Sequence, residues 1–393
     1  MAGADVLIGW FAAISSSFFM TVGFIIYGED WKGSPFQLNL YKCSLASVLF
    51  LIVAYFSAST RSWGNLDVSM LLFSSFIGII IGDITWLKAL SMIGARRVIV
   101  VDSIKPFLAS ILGSIFLNET VHVLTFVGMA LTVFGILIVS LEQDNCDDED
   151  CSNEDNNNHE LGDVQINVLH ANSEQPKEQN NEAVDEINTS STGDVNNEQT
   201  NVLYTGYVLA AVNVFLDAIG SLLTKMFGST FSPFEINLIR FGFAAICLVT
   251  MFYIVYIFEI CSQQQSRGSF GRVLSEDFTH ESVDCETKNH EQDVTFFFIP
   301  RREITVYPVM TTFQWHKVAL GVLFVTFTCP SLSNYALFQI DLGTCLTLTS
   351  LGPLFSIPLV YLMKGEVVSR RAIIGATLSV TGIMIMSFTS SSQ

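Results

Sequence analysis

Four ionisable residues, Asp83, Asp102, Lys105 and Asp217, sit inside stretches that are otherwise almost wholly apolar. A charge at bilayer depth is costly unless it is paired or hydrated, so each is a candidate for chemistry rather than packing. Asp102 and Lys105 are three residues apart, which puts them on one helix face within reach of each other. Pro106 follows at once, removing a backbone hydrogen bond and freeing a carbonyl for a solute or ion. One reading is a polar wall on which Asp83 and Asp102 relay a proton or bind an amine while Lys105 holds a carboxylate or phosphate. The plainer reading is that Asp102 and Lys105 only neutralise each other.

The elements that position these residues are ten mostly apolar runs near 6–27, 35–57, 68–90, 95–117, 121–141, 203–227, 234–260, 317–338, 341–363 and 370–390. Each is about the twenty residues a helix needs to cross a bilayer. Lipid offers no partner to an unpaired backbone amide and the runs are too long for barrel strands, so helices are expected. With 50% of residues hydrophobic and 14% charged, a soluble fold would struggle to hide this chain's surface. The net charge of −18 does not point to a basic partner, because residues 142–202 hold seventeen acidic residues against Lys177 alone.

The runs repeat. SPFQLNLYK at 34–42 returns as SPFEINLIR at 232–240, and GWFAAISSSFFMTVG at 9–23 has a partner in GYVLAAVNVFLDAIG at 206–220. Pro106 and Glu119 recur as Pro353 and Glu366, and Gly128 and Gly135 as Gly375 and Gly382, all at an offset of 247. Self-similarity of this kind is read before any fold. It gives a first five-helix repeat over 1–141, an acidic linker over 142–202 and a second repeat over 203–393 that contains a long polar loop at 262–315. Five helices is an odd number, so the second copy enters the membrane in the opposite sense. The expected fold is an all-α integral membrane protein of ten transmembrane helices in two inverted five-helix repeats.

Two five-helix copies, Pro-preceded second and seventh helices bearing Lys42 and Arg240, prolines in helices four and nine, and the FLNE and MKGE turns before Gly-x6-Gly helices together resemble the drug/metabolite transporter superfamily. The chain is most similar to its EamA-like members. The resemblance implies an alternating-access carrier for a small organic solute, with a midplane cavity lined by helices one, three, four, six, eight and nine. TCLTLTSLGP at 344–353 lacks the Lys-Thr pair of the sugar-phosphate and nucleotide-sugar branches.

By the offset, Asp83 maps to Pro330, Asp102 to Thr349 and Lys105 to Gly352. The charges therefore concentrate in the first copy, while the second offers Ser331, Ser333, Asn334, Thr347, Thr349 and Ser350. Asn334 and Thr349 join the four ionisable residues as candidates for solute binding or coupling. A cavity charged on one wall and hydroxyl-rich on the other would suit a zwitterion or a polyol bearing one charge. Expected partners are the solute, the bilayer, a coupling proton and a second copy in a homodimer, with no nucleic acid, metal or cofactor. A divalent-cation (Mg²⁺) permease and a non-transporting receptor are the rival readings; an enzyme is disfavoured because His122 is the one histidine clearly within a helical run.

Other residues are expected to be structural. Gly78 and Gly82 form a GxxxG crossing and the paired glycines of helices five and ten form packing seams. Lys42 and Arg240 are expected to snorkel to the membrane interface ahead of the alternative, solute binding, and Glu119 and Glu366 to cap the turns at the helix N-termini beside them. The linker is too polar to order itself, although Cys146, Cys151, His159 and His170 offer a metal-site alternative. Residues 262–315 form either a short hairpin or a surface segment. Lys and Arg bias puts both termini outside the cytosol, whereas the resemblance puts them inside and makes Asn188-Thr189-Ser190 a lumenal glycan acceptor. The two remain open.

Overall fold

A computed structural model describes residues 2–28, 30–56, 64–120, 122–142, 192–273, 295–296, 299–300, 304, 308–364 and 370–390. Glu366, the glycan sequon and the Cys146–His170 group lie outside these. Nine helices among the described residues are long and apolar enough to cross a membrane.

The first repeat comprises α1 (Ala2–Tyr27), α2 (Pro35–Phe56), α3 (Asn65–Ser75), a π-helical segment (Phe76–Gly82), α4 (Asp83–Asp102), α5 (Lys105–Phe116) and α6 (Val123–Glu142). The second comprises α7 (Thr192–Phe227), α8 (Pro233–Val273), α9 (Thr312–Val322), a second π segment (Leu323–Thr328), α10 (Cys329–Gln339), α11 (Leu342–Thr349), α12 (Gly352–Lys364) and α13 (Arg370–Ser390).

Local sequence accounts for many of the boundaries. The repeated Ser-Pro-Phe runs are helix starts: Ser34 and Gln37 exchange side-chain and backbone hydrogen bonds at 3.3 Å, and Ser232 and Glu235 do the same at 2.8 and 3.2 Å. Each is a capping box with proline at the first helical position, where its missing N–H costs nothing. A third box, Thr311 with Gln314, starts α9 at Thr312, five residues before the apolar run begins. Gly94, with φ of 76°, makes the turn between the third and fourth spans.

Two expectations are corrected in extent. The helix of the sixth span begins at Thr192, inside the segment read as linker, and α8 runs on to Val273, inside the segment read as loop. Propagation from the apolar span accounts for both, since adding a residue to a nucleated helix costs far less than starting one, and Glu198, Gln199 and Gln263 to Gln265 tolerate it. Between the seventh and eighth spans, Thr295–Phe296 pairs antiparallel with Ile299–Pro300, the hairpin alternative. Ile304 is buried in a cluster with Phe36, Phe50 and Leu248.

The interruptions of the spans repeat with the sequence. The π segments start at Phe76 and Leu323, and the fourth and ninth spans break between Asp102 and Lys105 and between Thr349 and Gly352, in every case 247 residues apart. Proline follows each break, as Pro106 and Pro353. A π turn leaves a carbonyl short of a partner, and a neighbouring helix supplies one. Asn213 of α7 donates to the Gly82 carbonyl at 2.9 Å, and Ser16 of α1 donates to the Cys329 carbonyl at 3.1 Å. The third span thus lies along α7 and the eighth along α1. Helices α2 and α8 pack together, α5 packs on α11, and α6 on α13.

The α6–α13 seam is the glycine contact expected. A side chain at Gly128 would strike the backbone of Gly382, and one at Gly135 the backbone of Gly375, an order that makes the helices antiparallel. At their centre Ser379 Oγ donates to the Thr132 carbonyl at 3.1 Å and Thr132 Oγ1 donates back to the Ser379 carbonyl at 3.4 Å.

Candidate functional site

Asp83 is the first residue after the π segment, and Asp102 and Lys105 flank the break in the fourth span. The broken helices bring these side chains together with Asp217 of α7. Lys105 Nζ lies 2.9 Å from Asp217 Oδ2 and 3.8 Å from Asp102 Oδ1. Asp102 Oδ2 accepts from the Trp86 indole N–H at 3.2 Å, which fixes the carboxylate beside the lysine.

Lys42 and Arg240 belong to the same site, and this corrects the expectation that they reach the membrane interface. Lys42 Nζ stands 3.8 Å from Asp83 Oδ2 with its side chain only 13% exposed. Arg240 is close enough to Asp217 and Asp83 to act on both electrostatically, and its Nε is buried. The reason is depth: each lies seven residues beyond its proline, about 10 Å along the helix at 1.5 Å per residue. A side chain that deep turns to a counter-charge rather than back to water.

Among the described residues the site therefore holds three carboxylates and three cations. Asp83 and Asp217 keep 35% and 38% of their side chains exposed. Charged atoms that remain open in the middle of a spanning helix face water or a ligand rather than lipid. Asn334 and Thr349 are not brought into contact with these charges. Asn334 donates to Asn237 at 2.7 Å, and Thr349 Oγ1 donates to its own helix at the Cys345 carbonyl.

A second group links the two halves near one end of the bundle. Glu119, on the turn between α5 and α6, pairs with Lys225 of α7 and accepts the Leu342 N–H at 2.9 Å. Lys225 Nζ also donates to the Ile340 carbonyl at 2.6 Å. Glu119 thus caps α11 of the other half rather than the helix that follows it, because Leu342 is the first residue of α11 and its N–H has no partner in its own helix. Burial, with Glu119 nearby, pushes the Asp341 carboxyl up from its ordinary range, against the pull of Lys225 and His122. At the opposite end Lys317 Nζ lies 3.0 Å from Asp30 Oδ2, beside the ring cluster of Trp31, Tyr41 and Trp315.

Depth within the span was the available signal for Lys42 and Arg240. Nothing in a single sequence pairs Glu119 with Lys225, since that contact depends on how the halves dock.

Comparison with known proteins fits this architecture. Residues 7–141 match the EamA-like transporter family. That stretch runs from within α1 to within α6 and holds Lys42, Asp83, Asp102 and Lys105, and the EamA-like family lies within the drug/metabolite transporter superfamily. The match and the nine apolar helices among the described residues make this an integral multi-pass membrane protein. No curated protein matches the chain. Among 28 solved chains that match, a crystal structure of a protein aligns over 99% of both chains with a TM-score of 0.58 and 12% identity, a likeness of fold alone.

Proposed function

We propose that the protein is an alternating-access carrier that moves a small polar organic metabolite across a membrane. Its solute site is the cluster of Asp83, Asp102, Lys105, Asp217, Lys42 and Arg240 at the interface of two inverted repeats. The observation that carries this reading is the mid-span ion pair of Lys105 with Asp217, which joins one half to the other at 2.9 Å. A packing bundle has no use for partly open charges at that depth.

Symmetry of contact supports the inverted repeat. The Asn213–Gly82 and Ser16–Cys329 hydrogen bonds exchange the roles of the halves, and α6 and α13 cross antiparallel about Thr132 and Ser379. Ion pairs between the halves near both ends, as candidate closures, support alternating access. Lys225 of the Glu119 closure lies eight residues beyond Asp217 along α7, about 12 Å of helix. Asp30 and Lys317 pair across the halves near the other end. A carrier opens one closure while the other holds. A divalent-cation path is disfavoured because Lys42, Lys105 and Arg240 interleave the carboxylates and repel a cation.

Purified protein in liposomes tests this. A carrier gives saturable uptake of a labelled metabolite that unlabelled solute on the far side accelerates. Flux that rises linearly with concentration and ignores the trans side contradicts it.

A further inference from the structure

Among the described residues Arg240 is the cation of the cluster with no counter-ion at contact distance. Lys105 has Asp217 at 2.9 Å and Lys42 has Asp83 at 3.8 Å. Arg240 has neither, and its Nε is buried without a hydrogen-bond partner.

The guanidinium lies over the crossing of the first π segment with α7. Its Nη2 is 3.4 Å from where a Cβ on Gly78 would stand and 3.8 Å from where one on Gly220 would stand. Two bare glycine backbones leave it space that larger residues would fill. Asp217 and Asp83 act on it through space, so it is held in a negative field without being neutralised at contact. A planar fork held this way suits a carboxylate, which accepts two parallel N–H bonds.

The charge count then constrains the rest of the solute. Among the described residues Lys42, Lys105 and Arg240 balance Asp83, Asp102 and Asp217, so the formal charge of the empty cluster is zero. In a low-dielectric site a net ion leaves one charge uncompensated, whereas a solute carrying one charge of each sign leaves none. Asp83, 35% exposed and only loosely paired, can receive the positive end.

We propose that Arg240 anchors the carboxylate of a zwitterionic solute whose cationic group pairs with Asp83; this rests on the carrier reading above. The anion role expected of Lys105 passes to Arg240, because Asp217 occupies Lys105.

The test is counterflow in proteoliposomes with three panels matched in carbon skeleton: neutral amino acids, the corresponding 2-hydroxy acids and the corresponding amines. The wild type favours amino acids over both other panels by about tenfold or more, the factor for one well-made charged contact. Arg240→Gln leaves the cluster at −1 and moves the preference toward amines. Asp83→Asn leaves it at +1 and moves the preference toward 2-hydroxy acids. A misfolded variant lowers all three panels together, so the opposite displacement of the two ratios is the readout.

Selectivity unchanged in both variants overturns the anchor and leaves the carrier standing. So does wild-type exchange confined to hydroxy acids, amines or neutral sugars. Inserted, folded wild type that exchanges none of these overturns both.

Discussion

Lys105 of α5 lies 2.9 Å from Asp217 of α7, and this contact ties the break in the fourth span to the opposite half of the chain. Lys105→Met therefore leaves Asp217 and Asp102 without their cation. Breaking a fully buried pair costs about 3–5 kcal/mol; with Asp217 38% exposed, about 1–2 kcal/mol is expected. Thermal unfolding in detergent should show a Tm lower by several degrees, largely recovered in Lys105→Met/Asp217→Asn. A double variant no more stable than the single one would contradict the pairing.

Glu119 holds two groups of the other half, so its substitutions should be graded. Glu119→Gln keeps an acceptor for the Leu342 N–H but loses the ionic contact with Lys225. Glu119→Ala loses both and uncaps α11, for about 2–4 kcal/mol. Unfolding curves should rank wild type, Gln and Ala in that order. Equal Tm for Gln and Ala would mean that the cap contributes nothing.

The seam of α6 with α13 predicts a sharp contrast between two glycines. A Cβ at Gly135 would run into the backbone of Gly375 and Ser379, whereas one at Gly242 meets nothing within 4 Å. Gly135→Val should reduce the monodisperse protein recovered on size exclusion severalfold. Gly242→Ala should be neutral or raise stability by up to about 1 kcal/mol, since alanine favours the helix.

Asp341 gives a pH-dependent prediction. Burial, with Glu119 beside it, raises its carboxyl above the unfolded value of about 3.9, so the fold favours the neutral form. The associated stability is present below that value and is lost as pH rises through the raised one. Asp341→Asn should unfold at a higher temperature than wild type at pH 7.5, with the gap closing near pH 4. A gap that widens on acidification would reverse the assignment.

The repeat was legible at a level finer than its helices. The offset of 247 read from Pro106, Glu119 and the glycines is the same offset that separates the two π segments and the two helix breaks. Asp83, Asp102, Lys105 and Asp217 were legible because charge in an apolar run is conspicuous. Lys42 and Arg240 follow helix starts, which favours the interface reading over solute binding, yet seven residues of helix carry each about 10 Å inward to a counter-charge. Asn334 turns to Asn237, and Thr349 back to its own helix, because each finds a nearer polar partner than the charged wall. The cap of α11 by Glu119 and the support of Asp102 by Trp86 follow from docking between elements far apart in sequence, which periodicity does not encode.

The most direct test of the central claim is labelled-metabolite counterflow by wild type and by Lys105→Met/Asp217→Asn in the same liposomes. That double variant keeps the cluster's net charge and is expected to retain most of the fold's stability. If the ion pair between the halves is part of the solute site, wild type exchanges and the folded double variant falls by at least about tenfold. Counterflow at the wild-type rate in a variant that has lost both charges would contradict the account.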